Sequence, residues 1–312
     1  MKKVLFATTA LIATGGMAAA DVTLSGSARF GIVYNGANET AGQSKTKVER
    51  RTSINIDGSG STDGGMNFGS RIRLRSDEGD GGTAGSSSNV YMGNDMFRIT
   101  VGNTAGAAVQ RLSHFGNGNV GLTGLHWANV SYNIGNSRWT LNTYSSRGNA
   151  GDVVRLDVNA GSFGVSLSSD STGDYLSNDS EDGIAVSYNM GDWTVGAGYT
   201  DETNGSKVMG AMAKGSMGDF GLMINYTDKE DLGSKIVLAG SYAMGTTSLT
   251  GFIASTSEDT SGSVGIGGVA GTQKTEYGLG FSHSLGGASL KGGVSQDYTG
   301  NTMADLGVSF GF

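Results

Sequence analysis

The chain has 312 residues, with 55 glycines and neither cysteine nor proline, and its 21 lysines and arginines against 28 aspartates and glutamates give a net charge of −7. Without thiols there are no disulfides and no thiolate metal sites, and the acidic balance argues against a nucleic-acid partner. A chain without proline suits a backbone in which every amide donates to a neighbouring strand.

Residues 1–20 read as a secretory signal peptide. Met1, Lys2 and Lys3 form a positive start, Val4 to Ala13 is apolar apart from Thr8 and Thr9, and Ala18, Ala19 and Ala20 offer a small-residue cleavage site. The apolar run is shorter than the roughly 20 residues of a spanning helix. Cleavage after Ala20 leaves residues 21–312 and, with Lys2 and Lys3 gone, a net charge of −9.

From there the signal is alternation with period two. Val22, Leu24, Ala28, Phe30, Ile32 and Tyr34 share one face, opposite Thr23, Ser25, Ser27 and Arg29. Val48, Ile54 and Ile56 oppose Lys47, Glu49, Arg51, Ser53, Asn55 and Asp57; Met66, Phe68, Ile72 and Leu74 then oppose Asn67, Arg71, Arg73 and Arg75. The rhythm resumes with Ile184 to Met190, Trp193 to Tyr199, Phe220 to Tyr226, Ile236 to Tyr242 and Tyr277 to Phe281, and ends on Ala304, Leu306, Val308, Phe310 and Phe312.

Tight turns are expected at Gly191-Asp192, Gly218-Asp219, Gly245-Thr246 and Gly286-Gly287, where glycine tolerates positive φ. Gly191, Gly218 and Gly245 recur every 27 residues, which fits two strands of about ten residues with one short and one longer connection. The long polar loops are expected at Ser168 to Asp182, Asp201 to Lys207 and Ser255 to Lys274. Tyr34, Tyr188, Trp193, Tyr199, Phe220, Tyr226, Tyr242 and Tyr298 lie near strand ends, as interfacial girdles do. A soluble sandwich with Arg71, Arg73 and Arg75 on its inner face would bury three charges at a cost of several kcal/mol each. In a wide barrel that face is wet.

The first strand, Asp21-Val22-Thr23-Leu24-Ser25-Gly26-Ser27-Ala28-Arg29-Phe30-Gly31, and the closing Met303-Ala304-Asp305-Leu306-Gly307-Val308-Ser309-Phe310-Gly311-Phe312 resemble those of the Gram-negative general-diffusion porins, the alphaproteobacterial type most closely. That resemblance implies an all-β fold, a 16-stranded antiparallel transmembrane barrel over residues 21–312 with an inserted constriction loop, exported to the outer membrane and assembled as a homotrimer. It implies a water-filled channel for small hydrophilic solutes, with no enzymatic activity and no cofactor. It also makes Phe310 and Phe312 the signal read by the barrel-assembly machinery. Counting segments gives 18 strands. The surplus pair, Ala128 to Ile134 and Arg138 to Ser145, joins at Gly135-Asn136 and falls where the family places its inserted loop, here about 103–152. An 18-stranded barrel is the alternative.

The family sets a basic wall against carboxylates on that loop. The wall is present in Arg29, Lys47, Arg51, Arg71, Arg73 and Arg75, all of one parity. The carboxylates are not: Met96 to Gly151 holds no aspartate or glutamate, where the chain's average predicts about five, while Arg111, His114 and His126 lie within it. A basic wall facing such a loop prefers anions, with the negative net charge assigned mainly to the extracellular loops. Three histidines without ligand spacing argue against zinc. The acidic run Asp170, Asp174, Asp179, Glu181 and Asp182 would suit calcium but reads more simply as a solvated loop. A β-rich adhesin or structural protein is the other functional alternative.

Overall fold

The computed structural model describes residues 21–39, 42–79, 82–112, 120–125, 133–134, 137–138, 153–170, 180–203, 207–230, 233–258, 274–297 and 300–312. Residues 1–20, and with them the expected signal peptide, lie outside this set, as do His114, His126 and Tyr298.

The alternating segments form strands that pair antiparallel in chain order. The first are β1 (Asp21–Asn35), β2 (Thr46–Ser61), β3 (Asn67–Asp77), β4 (Ala84–Gly85), β5 (Asn89–Gly93) and β6 (Phe97–Gly102). A short helix, α1 (Ala107–Leu112), and a two-residue-per-strand hairpin, β7 (Asn133–Ile134) and β8 (Ser137–Arg138), follow. The chain then runs through β9 (Val153–Ala160), β10 (Phe163–Asp170), β11 (Glu181–Met190), β12 (Trp193–Glu202), β13 (Val208–Met217), β14 (Phe220–Lys229) and β15 (Gly233–Met244). It ends with β16 (Thr247–Glu258), β17 (Lys274–Ser284), β18 (Ser289–Gln296) and β19 (Thr302–Gly311).

The sheet closes where β1 pairs with β19 as well as with β2, so no edge is left for the bilayer to meet unsatisfied. At the seam Gly26 and Phe312 exchange backbone hydrogen bonds of 2.7 and 3.0 Å. The barrel has 16 strands, because β4 and β5 both pair with β3 and are two halves of one strand, and β7 and β8 pair only with each other. Between the halves, β3 advances three residues from Leu74 to Arg71 while its partner advances four from Gly85 to Asn89, a β-bulge. The 18-strand alternative is thereby excluded: its extra hairpin does turn between Ile134 and Ser137, but outside the barrel wall.

Ten-residue strands such as β11 to β14 are about 33 Å long at 3.3 Å per residue, enough when tilted to cross an apolar band of about 25 Å. Their alternate residues, among them Ile184, Val186 and Ile224, are exposed outward, as is Leu238 on β15, which in a bilayer is contact with lipid. Among the described residues no helix is long and apolar enough to cross a membrane. Short turns mark one end, with Gly191, Gly218, Gly245 and Gly286 at φ between 58 and 98°. The longer connections gather at the other end and are shorter than expected, since β10 reaches Asp170 and β16 reaches Glu258 before giving way. The connection after β6 is the longest, and its described parts pack on the inner wall. Leu112, Val120 and Leu125 cover inward-facing Met212, Met223, Val237, Ala239 and Phe252.

Candidate functional site: the lumen and its inserted loop

Antiparallel register decides how the basic residues of β1 to β3 meet. Arg29 lies opposite Arg51, but Arg71, Arg73 and Arg75 lie opposite Asp57, Asn55 and Ser53, and Arg51 also faces Asp77. Arg29 and Arg51 thus meet directly, while the three arginines of β3 each face an acceptor on β2. Arg29 Nε donates to Glu49 at 2.7 Å, Arg71 Nε to Asp57 at 2.5 Å and Arg73 Nε to Asn55 Oδ1 at 2.8 Å. Asp77 receives both Arg51, at 2.5 Å, and Arg75, at 2.7 Å.

Arg29, Arg51, Arg73 and Arg75 line one cavity of about 530 Å³ together with Ser27, Ser53, Asn55, Leu122, Ser289, Lys291 and Ser309. Among the described residues that line it there is no carboxylate. Lys47 and Arg71 are not on it; Lys47 is exposed nearer the long-loop end, and Arg71 sits towards the short turns on Asp57. Lys291 was not among the residues expected here. Its signal was present, since Leu290 and Val294 alternate with it and turn outward.

The inserted connection leaves the wall at the bulge. Asn103 Nδ2 and N donate to the carbonyls of Ser87 and Ser88, both at 2.9 Å, and its own carbonyl accepts from Asn89. Arg155 on β9 then holds the next residues through Thr104 Oγ1, at 2.7 Å, and the Ala105 carbonyl, while pairing with Asp157 at 2.9 Å. Arg111, expected to bring charge to the lumen, is bound to the wall. It donates to Ser166 Oγ at 2.7 Å, Asn159 Oδ1 at 2.9 Å and the carbonyls of Val158 and Val165. Burial pushes the Arg111 guanidinium pKa below its ordinary value and Asp157 opposes this; the four bonds to the wall make Arg111 an anchor.

The negative charge is not confined to the long loops. Asp157, Asp170, Glu181, Glu202, Glu276 and Asp305 are all buried on inward-facing strand positions. Lys235 pairs with Glu276 at 3.0 Å with both side chains essentially inaccessible, and Lys229 lies 3.4 Å from Glu202. The acidic run considered for calcium diverges, with Asp170 and Glu181 buried and Asp182 exposed, while Asp174 and Asp179 lie outside the described residues. Among the described residues no three acidic or histidine side chains group as a metal site.

A family model for Gram-negative porins matches residues 7–302. The chain belongs to the Gram-negative porin family. Curated relatives include the porin of Fuscovulum blasticum, 27% identical over 313 residues, and that of Rhodobacter capsulatus, 28% identical over 319; each alignment covers 94% of this chain and 100% of the relative. Two solved variants of Rh. blastica porin superpose with a TM-score of 0.77 at 24% and 23% identity, covering 93% of this chain and the whole of theirs. They share its fold. This porin is an outer-membrane channel protein for passive diffusion, not an enzyme.

Proposed function

We propose that this porin is an anion-preferring diffusion channel for small hydrophilic solutes, with Arg29, Lys47, Arg51, Arg71, Arg73 and Arg75 as its basic wall. The carrying observation is the cavity lined by Arg29, Arg51, Arg73, Arg75 and Lys291, with no carboxylate among the described residues that line it. Glu49, Asp57 and Asp77 pair with wall arginines and lower the positive field without reversing it, because the six cations of the wall outnumber these three carboxylates. Charged rings at a narrowing select by sign, and the short distances there keep screening weak at low salt. The segment 103–152, with Arg111, His114 and His126, is the constriction loop in this reading.

The same reading makes the mature protein residues 21–312, a homotrimer whose closing Phe310 and Phe312 are the handle for the barrel-assembly machinery. The two rings lie 6.4 Å apart at the short-turn end of the seam. No cofactor takes part. The channel is tested by swelling of liposomes containing the purified trimer in isotonic solutes of matched size and opposite charge. Faster entry of the anionic member supports the reading; faster entry of the cationic member overturns it.

A further inference from the structure

Asp305 on β19 points inward, is 7% exposed, and spends both carboxylate oxygens on one short stretch of the inserted loop. Oδ1 accepts the Leu122 amide at 2.9 Å, and Oδ2 accepts the Thr123 amide and the Thr123 hydroxyl, each at 2.7 Å. On the other side of the same residue, the Leu122 carbonyl accepts from Arg29 Nη1 at 3.4 Å. Leu122 is thus held between a carboxylate of the last strand and a guanidinium of the first.

The wall beneath is bare. Gly280 lies opposite Gly293 across β17 and β18, and Gly31 lies opposite Gly307 across the seam of β1 and β19. A Cβ at Gly280 or Gly293 would come within 2.9 or 2.7 Å of Val120 Cγ1, and one at Gly31 or Gly307 within 2.8 or 2.6 Å of Leu122 Cδ2. Gly121 has φ +79°, and a Cβ there would run into Asp305. These five glycines are required for close approach, and Asp305 sits between the two opposed pairs.

The loop has no carboxylate of its own from Met96 to Gly151, so the acceptor for its buried amides comes from the wall, where an unmet amide would cost a full desolvation penalty. Leu122 also lines the cavity shared by Arg29, Arg51, Arg73 and Arg75. We infer that Asp305 is a positioning residue for permeation: by clasping Leu122 and Thr123 onto the glycine seat it fixes how far the loop stands from the basic wall, and so the size limit of the pore. The inference needs only the channel, not its anion preference.

The test uses the full protein in liposomes with neutral saccharides of increasing size, alongside single-channel conductance. Asp305→Ala is expected to shift the size limit to larger saccharides and raise conductance while the folded barrel still runs as a heat-modifiable band. Because the chain has no cysteine, Thr123→Cys with Asp305→Cys gives an unambiguous tether at side chains that already meet. The oxidised protein should keep the parental limit, and reduction of the same sample should shift it upward. The cysteine pair decides the matter even if Asp305→Ala does not fold. An identical limit in the oxidised and reduced protein overturns the inference, as does a parental limit in folded Asp305→Ala.

Discussion

Arg73 lies directly opposite Asn55 across β2 and β3 and donates Nε to its amide oxygen at 2.8 Å. Two residues along the same strand, Arg71 meets Asp57 instead, so neighbouring guanidinia of one parity face a neutral and a charged acceptor.

This difference predicts opposite effects on selectivity. Arg73→Gln removes a charge from the cavity and should lower the anion-to-cation permeability ratio. Asp77→Asn removes the carboxylate shared by Arg51 and Arg75 and should raise it. Zero-current potentials of the two variants under one salt gradient should bracket the parent; displacement in the same direction would contradict the assignment.

Selectivity set by partly hydrated charges should fade with salt. The Debye length falls from about 10 Å at 0.1 M to about 3 Å at 1 M, so the permeability ratio is expected to approach one over that range. A ratio independent of salt would point to steric selection.

The buried Lys235–Glu276 pair should be costly to break and cheap to replace. Glu276→Gln strips Lys235 of its counter-charge in an inaccessible site and is expected to cost about 3–5 kcal/mol, whereas Lys235→Met with Glu276→Leu should recover most of that. Urea unfolding of the barrel in micelles compares the two.

Alternation places Leu238 on the lipid side, midway along β15. Leu238→Arg should cost roughly 2–4 kcal/mol in a bilayer, measured by reversible unfolding from liposomes. A neutral outcome would mean that the outward parity is misassigned.

Much of this was legible in the sequence. Period-two alternation fixed which residues of β1 to β3 face the lumen, and Gly191, Gly218 and Gly245 marked turns that adopt positive φ. Strand number was not legible, since a hairpin turning between Ile134 and Ser137 alternates as well as any barrel strand; only closure of β19 on β1 decides which segments pair. The Arg71–Asp57 and Arg51–Asp77 partners depend on register, to which a face pattern is blind. Asp305 had readable inward parity, but its partners lie 182 and 183 residues away, and local periodicity carries no information over that separation. The bulge at Ser86 to Ser88, which launches the loop through Asn103, left no trace beyond a cluster of serines.

The anion preference is tested most directly by the sign of the zero-current potential of the purified parent protein in a planar bilayer under a tenfold gradient of potassium chloride at low ionic strength. Potassium and chloride have nearly equal mobilities in water, so the sign reports the pore. A potential on the chloride side is predicted; one on the potassium side would contradict the claim that Arg29, Arg51, Arg73, Arg75 and Lys291 set the field of the channel.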